Sequence, residues 1–295
     1  MNVIDCKKVS KGFRRTSALE DITFQLAEQK ITGLIGRNGA GKTTLLKILA
    51  GFTKHSSGEV SVFGKNPYNN LMVSANSILV DDQMTFPDSL TLEEILQSAP
   101  AFYKRWDAQL TSRLFQYFKL DSKQQHSKLS KGARATFNTI FGLSTRCELT
   151  MFDEPTNGMD EAVRTDFYRA LLKDYIAHPR SILISSHHLA EIEHLLEDIL
   201  LIHNGNVVLH DSIDEVKEFA VAVQGPIADV ERWTEGQEIL YSKRVDAQRL
   251  YVVVKNKSKL ERARLEGAVI QALSASEVCM YVTSETKGGI DDVFK

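Results

Sequence analysis

Little in this sequence of 295 residues points to a membrane span, to secretion or to nucleic acid. It has three cysteines, Cys6, Cys147 and Cys279, far apart and without the short spacing of a metal or redox site. They are expected to be buried thiols in a reducing compartment. An excess of either charge is missing as well: 36 Lys and Arg face 38 Asp and Glu. That balance argues against a large nucleic-acid footprint. No apolar run approaches the ~20 residues of a membrane helix. Residues 1–8 hold no apolar core for a signal peptide. A soluble, cytoplasmic chain is expected, and work at a membrane would need another chain to span it. The length allows one large domain plus a small one, or two medium ones.

What is present centres on Gly36, Arg37, Asn38, Gly39, Ala40, Gly41, Lys42, Thr43 and Thr44. An apolar run, 31–35, precedes this stretch, and Leu45 to Ala50 reads as a helix that Gly51 stops. Glycine, four residues, then Gly-Lys-Thr is the spacing of a P-loop between strand and helix. Its glycines let successive N–H groups face one anion, and the helix dipole adds to them. Lys42 suits the β- and γ-phosphates, and the Thr43 hydroxyl suits Mg²⁺. A chance glycine turn before a core helix is the bland alternative. It fits poorly, since both flanks agree with the motif. By itself the motif means a nucleoside triphosphate site and no particular function.

Other landmarks follow in order. Residues 3–9 and 19–26 read as strands, with Phe13 in the turn between them, a candidate to stack on adenine or an ordinary packing residue. Residues 77–80 form a short strand, and Thr91 with Glu94 makes a capping box that starts a helix at Leu92. Residues 93–121 read as helical, their aromatics mostly core. Residues 149–155 read as an apolar strand that ends in two carboxylates, Asp153 and Glu154, where open α/β sheets bind ligands. Asp153 suits Mg²⁺, and Glu154 suits a water aimed at the γ-phosphate. An acidic pair opening a helix is the competing reading; Pro155 fits a loop better. Another apolar strand, 180–186, leads to His187, within reach of a phosphate oxygen or simply a surface residue. Asn204-Gly205 marks a hairpin between 199–203 and 206–210.

Taken together these residues resemble the ATP-binding cassette (ABC) ATPase family. Residues 36–44 are similar to its Walker A motif, 149–154 to Walker B with the following glutamate, 156–160 to the D-loop that ends in Asp160, and His187 to the switch histidine. Phe13 stands in the place of the aromatic that stacks on adenine. Leu129-Ser130-Lys131-Gly132-Ala133 is similar to the signature Leu-Ser-Gly-Gly-Gln, with Lys131 for a glycine and Ala133 for the glutamine. Gln83 is the only glutamine in the expected Q-loop, although alignment on Leu90-Thr91 puts Asp82 there. The resemblance implies an α/β fold: a P-loop nucleotide-binding domain over 1–213, with a helical subdomain over about 88–145. It implies ATP and Mg²⁺ as cofactors, with Thr43, Asp153 and Gln83 toward the metal and Glu154, His187 and Gln83 in catalysis. Ser130 and Gly132 would serve the nucleotide of a second nucleotide-binding subunit, in a homodimer or a heterodimer. A separate multi-span permease would hold the chain on the inner face of the membrane. Phe86-Pro87, Tyr103 and Trp106-Asp107 look most like exporters of bacitracin-type or toxin peptides, which implies export of a peptide or amphipathic compound.

After Asp214 the pattern changes. Residues 219–223, 237–245, 250–254 and 277–282 read as strands, 227–233 and 258–273 as helices. The order β-α-β-β-α-β fits a small α+β, ferredoxin-like domain over 214–295. It shows no catalytic constellation, so an accessory, dimerisation or regulatory role is expected. The rival to a transporter subunit is a soluble cassette ATPase acting on ribosomes or nucleic acid; the single P-loop, the absence of a long heptad run and the balanced charge count against it. A non-hydrolysing partner subunit is a third reading, opposed by Glu154 and His187.

Overall fold

The computed structural model describes residues 2–14, 16–255 and 268–284. Two long strands, β1 (Asn2–Phe13) and β2 (Thr16–Ala27), open the chain. Then come β3 (Ile31–Ile35), α1 (Lys42–Leu49), β4 (Ser57–Val62), α2 (Leu71–Asn76) and β5 (Ser77–Val80). β2 buries alternate side chains, the pattern of a sheet with one wet face. It forms an antiparallel sheet in the order β2-β1-β4. β3 and β5 are buried at every residue, as parallel strands covered on both faces must be.

A helical section follows: α3 (Leu92–Ser98), α4 (Ala108–Tyr117) and α5 (Lys131–Ser144). The capping box expected at Thr91 and Glu94 is present. The continuous helix expected over 93–121 is not. Pro100, in a 3₁₀ turn over Ala99–Ala101, lacks the N–H that a continuing helix needs. Asp107 then accepts from the Leu110 N–H at 2.8 Å and caps a new helix. Phe86, Tyr103 and Trp106, each half-buried, pack around buried Phe141 with ring centroids 5.0–5.7 Å away. Phe102, in contrast, is 74% exposed.

The remainder is β6 (Leu149–Asp153), α6 (Glu161–Ala177), β7 (Ser181–Ser186), α7 (Leu189–Ile192), β8 (Asp198–His203), β9 (Asn206–Ser212) and α8 (Ile213–Glu218). The main sheet has the order β5-β6-β7-β3-β8-β9, with parallel pairs from β5 to β8. Its ordering puts the carboxyl ends of β3, β6 and β7 side by side, where such sheets take ligands. Asn204 and Gly205, at φ 47° and 77°, make the hairpin turn.

Contacts divide the chain into two units. One is Met1–His187 with His194–His210; the other is His188–Glu193 with Asp211–Lys295. The second contains β10 (Ala220–Pro226), α9 (Ile227–Thr234), β11 (Ile239–Arg244), β12 (Arg249–Lys255), β13 (Val269–Ala272) and α10 (Ala275–Val282). Its sheet order, β11-β12-β10-β13, is antiparallel throughout, as in a split β-α-β layer. Val223, Val252 and Val254 form its core with Val230 of α9. Part of the helix expected over 258–273 lies outside the described residues; Val269–Ala272 is a strand. The strand expected over 277–282 is α10, because Ser274 and Glu277 form a capping box that commits the segment to a helix. Glu193 also accepts from the Ala275 and Ser276 N–H groups, each at 3.3 Å.

Candidate functional site

Residues 36–41 turn at the end of β3, and Lys42 opens α1. Gly41 sits at φ 107°, and a Cβ there would lie 2.6 Å from the Ala18 carbonyl oxygen, so only glycine fits. The loop is braced by the Gly205 N–H, 3.2 Å from the Ala40 carbonyl oxygen, and by the Ala40 N–H, 3.1 Å from that of Arg37. No side chain caps α1 and no acidic residue stands in its first turn. Its first amides and its dipole therefore remain available to an anion. Arg37, Asn38, Gly39 and Thr43 are exposed, and Thr44 is half-buried; Gly36, Ala40 and Lys42 are buried.

Lys42, 5% exposed, gives its ammonium to the Gly36 carbonyl oxygen at 2.7 Å. It also lies 3.2 Å from Oε1 of Glu154. The other oxygen of Glu154, Oε2, is 2.9 Å from Nδ1 of His187 and 3.1 Å from Nδ2 of Asn157. Lys42, Glu154 and His187 thus converge although they are far apart in sequence. Burial raises the Glu154 carboxyl, but Lys42 and His187 outweigh it and hold the group below the usual carboxylate range.

Ser185, wholly buried on β7, fixes the acidic pair. Its hydroxyl donates to Oδ1 of Asp153 at 2.6 Å and accepts from the Glu154 N–H at 2.9 Å. Sequence reasoning gave Ser185 and Asn157 no role. The available signal was a polar residue interrupting the apolar strand Ser181–Ser186.

The remaining candidates lie around this centre. Phe13 ends β1, half-exposed, with the Lys11 ammonium 4.8 Å from its ring centroid. Ser130 is the exposed N-cap of α5 and accepts from the Ala133 N–H at 3.2 Å. Gly132 packs on the D-loop, where a Cβ would come within 2.5 Å of the Gly158 carbonyl oxygen. Asp160 caps α6, accepting from the Val163 N–H at 2.9 Å. Gln83 is not brought beside the acidic pair: its Oε1 accepts from the Lys47 ammonium at 2.8 Å. Asp81 and Asp82 instead line a cavity of about 340 Å³ with Asp153 and Glu154. Burial, with help from Asp82 and Asp153 and against Lys47, raises the Asp81 carboxyl.

The chain is similar to known proteins in sequence and in fold. The sequence profile of the ABC transporter family matches residues 19–157. The ABC transporter ATP-binding protein YtrB of Bacillus subtilis (strain 168) is 26% identical over 222 residues, covering 75% of this chain and 76% of YtrB. The bacitracin transport ATP-binding protein BcrA of Bacillus licheniformis is 27% identical over 221 residues, covering 73% and 72%. A solved ATP-binding subunit of an ABC transporter superposes with a TM-score of 0.65 at 25% identity, over 73% of this chain and 92% of that one. A dimeric bacterial ABC transporter cassette shares the fold, with a TM-score of 0.62 at 18% identity over 71% of this chain and 98% of that one. With Lys42, Glu154 and His187 joined at one point, the chain carries an ABC ATPase domain and is similar to the ATP-binding subunits of ABC transporters.

Proposed function

We propose that this ATPase works with Mg²⁺ as one of two cassettes, and that its cycle powers export of a peptide or amphipathic compound through a separate multi-span permease. The observation that carries the catalytic part is the meeting of Lys42, Glu154 and His187. In that reading Lys42 and the α1 amides bind the phosphates, Glu154 takes a proton from the attacking water, and His187 orients the γ-phosphate. Bound Mg²⁺ would supply positive charge that neutralises the charge developing on the transferring phosphoryl group. Thr43 and Asp153 are the residues that would hold it. Among the described residues no three His, Cys, Asp or Glu side chains could hold a metal ion. The cation would therefore take most of its ligands from phosphate and water, as Mg²⁺ prefers.

Two features support pairing and a membrane partner. Ser130 is exposed at the start of a helix with no acidic first turn, ready for a γ-phosphate from another subunit. A groove of about 550 Å³, lined by Phe52, Leu79, Met84 and Tyr103, would receive a cytoplasmic helix of the permease. Phe52 is 66% exposed there, the kind of aromatic favoured at interface centres. Among the described residues no helix is long and apolar enough to cross a membrane, so the chain would sit peripherally on the inner face. The peptide class rests on the likeness to BcrA, a bacitracin transport protein.

The test is Glu154→Gln. With ATP and Mg²⁺ it should elute as a stable dimer in size-exclusion chromatography, while wild type does not accumulate one. A monomer under those conditions would refute the shared site. Co-purification from native membranes checks the second half: a multi-span partner should appear, and ATP turnover should rise with it.

A further inference from the structure

The carboxylate of Glu154 does not face open solvent. Its side chain is 18% exposed, and both oxygens are engaged: Oε1 with Lys42 at 3.2 Å, Oε2 with His187 at 2.9 Å and Asn157 at 3.1 Å. The backbone holds it there at a cost. Glu154 sits at φ 46°, a region unfavourable for a residue with a side chain, and its N–H is fixed by buried Ser185. Two of its three partners are groups that the proposed function assigns to the triphosphate, Lys42 to its phosphates and His187 to the γ-phosphate alone. A carboxylate and a phosphoryl oxygen compete for the same donors, since both are anions that accept charge-assisted hydrogen bonds.

We propose that Glu154 stands in for the γ-phosphate while the site is empty, so that only a nucleotide with a third phosphate displaces it. ADP has no γ-phosphate to take His187, so Oε2 of Glu154 keeps that partner and Asn157 even where the β-phosphate shares Lys42. A triphosphate takes over Lys42 and His187, and Asn157 then keeps the freed carboxylate at the site. Selection of ATP over ADP and release of the base are in this way one event. The inference rests on the proposed function, since it takes Lys42 and His187 as the γ-phosphate's partners.

The experiment is calorimetric titration of the full chain with ADP and with adenylyl imidodiphosphate, each with Mg²⁺, at a concentration where light scattering shows a monomer. Glu154→Gln loses the competing charge and should bind the triphosphate analogue about tenfold more tightly, with ADP changed by no more than about twofold. Glu154→Asp separates a positioned stand-in from charge repulsion alone. It keeps the charge but is too short to reach both donors, so the analogue should bind more tightly to it as well. Equal gains for both nucleotides, no gain for either, or an Asp variant that behaves like wild type would each overturn the inference while leaving the ATPase reading intact. Failure of wild type to bind either nucleotide would overturn that reading itself.

Discussion

Lys42 illustrates what one side chain does in this fold. It is nearly inaccessible, donates to its own loop at Gly36 and is paired with Glu154. A buried ammonium needs such partners, because desolvation penalises an unpaired charge. Lys42→Ala should therefore remove the main cationic ligand and weaken ATP binding by at least about 100-fold, or about 2.7 kcal/mol, readable by titration calorimetry. An unchanged affinity would sink the assignment of the loop. The same scale shows where sequence reading stops. The P-loop was legible because its spacing is local and its glycines are sterically required. Asp153, Glu154 and His187 were legible as strand ends. The Q-loop residue was not: Asp82 and Gln83 are neighbours, and only the direction of the turn after β5 decides which faces the acidic pair. Ser185 went unassigned because its work is done across a strand boundary, on residues 32 and 31 positions away.

At the level of elements, helix ends decide more than helix middles. Thr91 and Ser274 each make a capping box, and each starts the helix that follows. The first was visible in the sequence. The second was overridden by the β-branched and apolar run 278–282, which reads as a strand when packing is unknown. The break between α3 and α4 has the same lesson, since Pro100 and Asp107 outweigh a continuous apolar pattern. The start of α5 carries a sharper consequence. Gly132 touches the D-loop so closely that a methyl group would sit 2.5 Å from the Gly158 carbonyl oxygen. Gly132→Ala must displace either the D-loop or the first turn behind Ser130. In a Glu154→Gln background it should retain ATP binding within about threefold and lose the ATP-dependent dimer, since the P-loop is untouched and the proposed shared site needs Ser130 placed. A dimer that forms as before would show that this packing is irrelevant to assembly.

For the molecule as a whole, the division into two units gives a direct test. The sequence has two tryptophans, Trp106 in the first unit and Trp233 in the second. Single-tryptophan variants, Trp233→Phe and Trp106→Phe, report one unit each. A ligand that binds only the folded first unit should raise the transition seen by Trp106, by about 2.7 kcal/mol at 100 times its Kd. The transition seen by Trp233 should stay within about 1 °C, provided the units unfold separately. Equal shifts from both reporters would mean that the units unfold as one.

By itself the sequence marked out the candidate residues of the site, because strand, turn and helix of a P-loop are consecutive, and because apolar strands that end in acid or histidine declare where charge is delivered. It also marked the buried strands of the main sheet, since strands covered on both faces need unbroken apolar runs. Only the tertiary structure decided which donors the Glu154 carboxylate meets, whether Asp82 or Gln83 faces the acidic pair, and that 188–193 belongs with the C-terminal unit. Each of these depends on distances between residues remote in the chain. Such distances are set by how sheets and helices pack, and no local pattern of residue types records them.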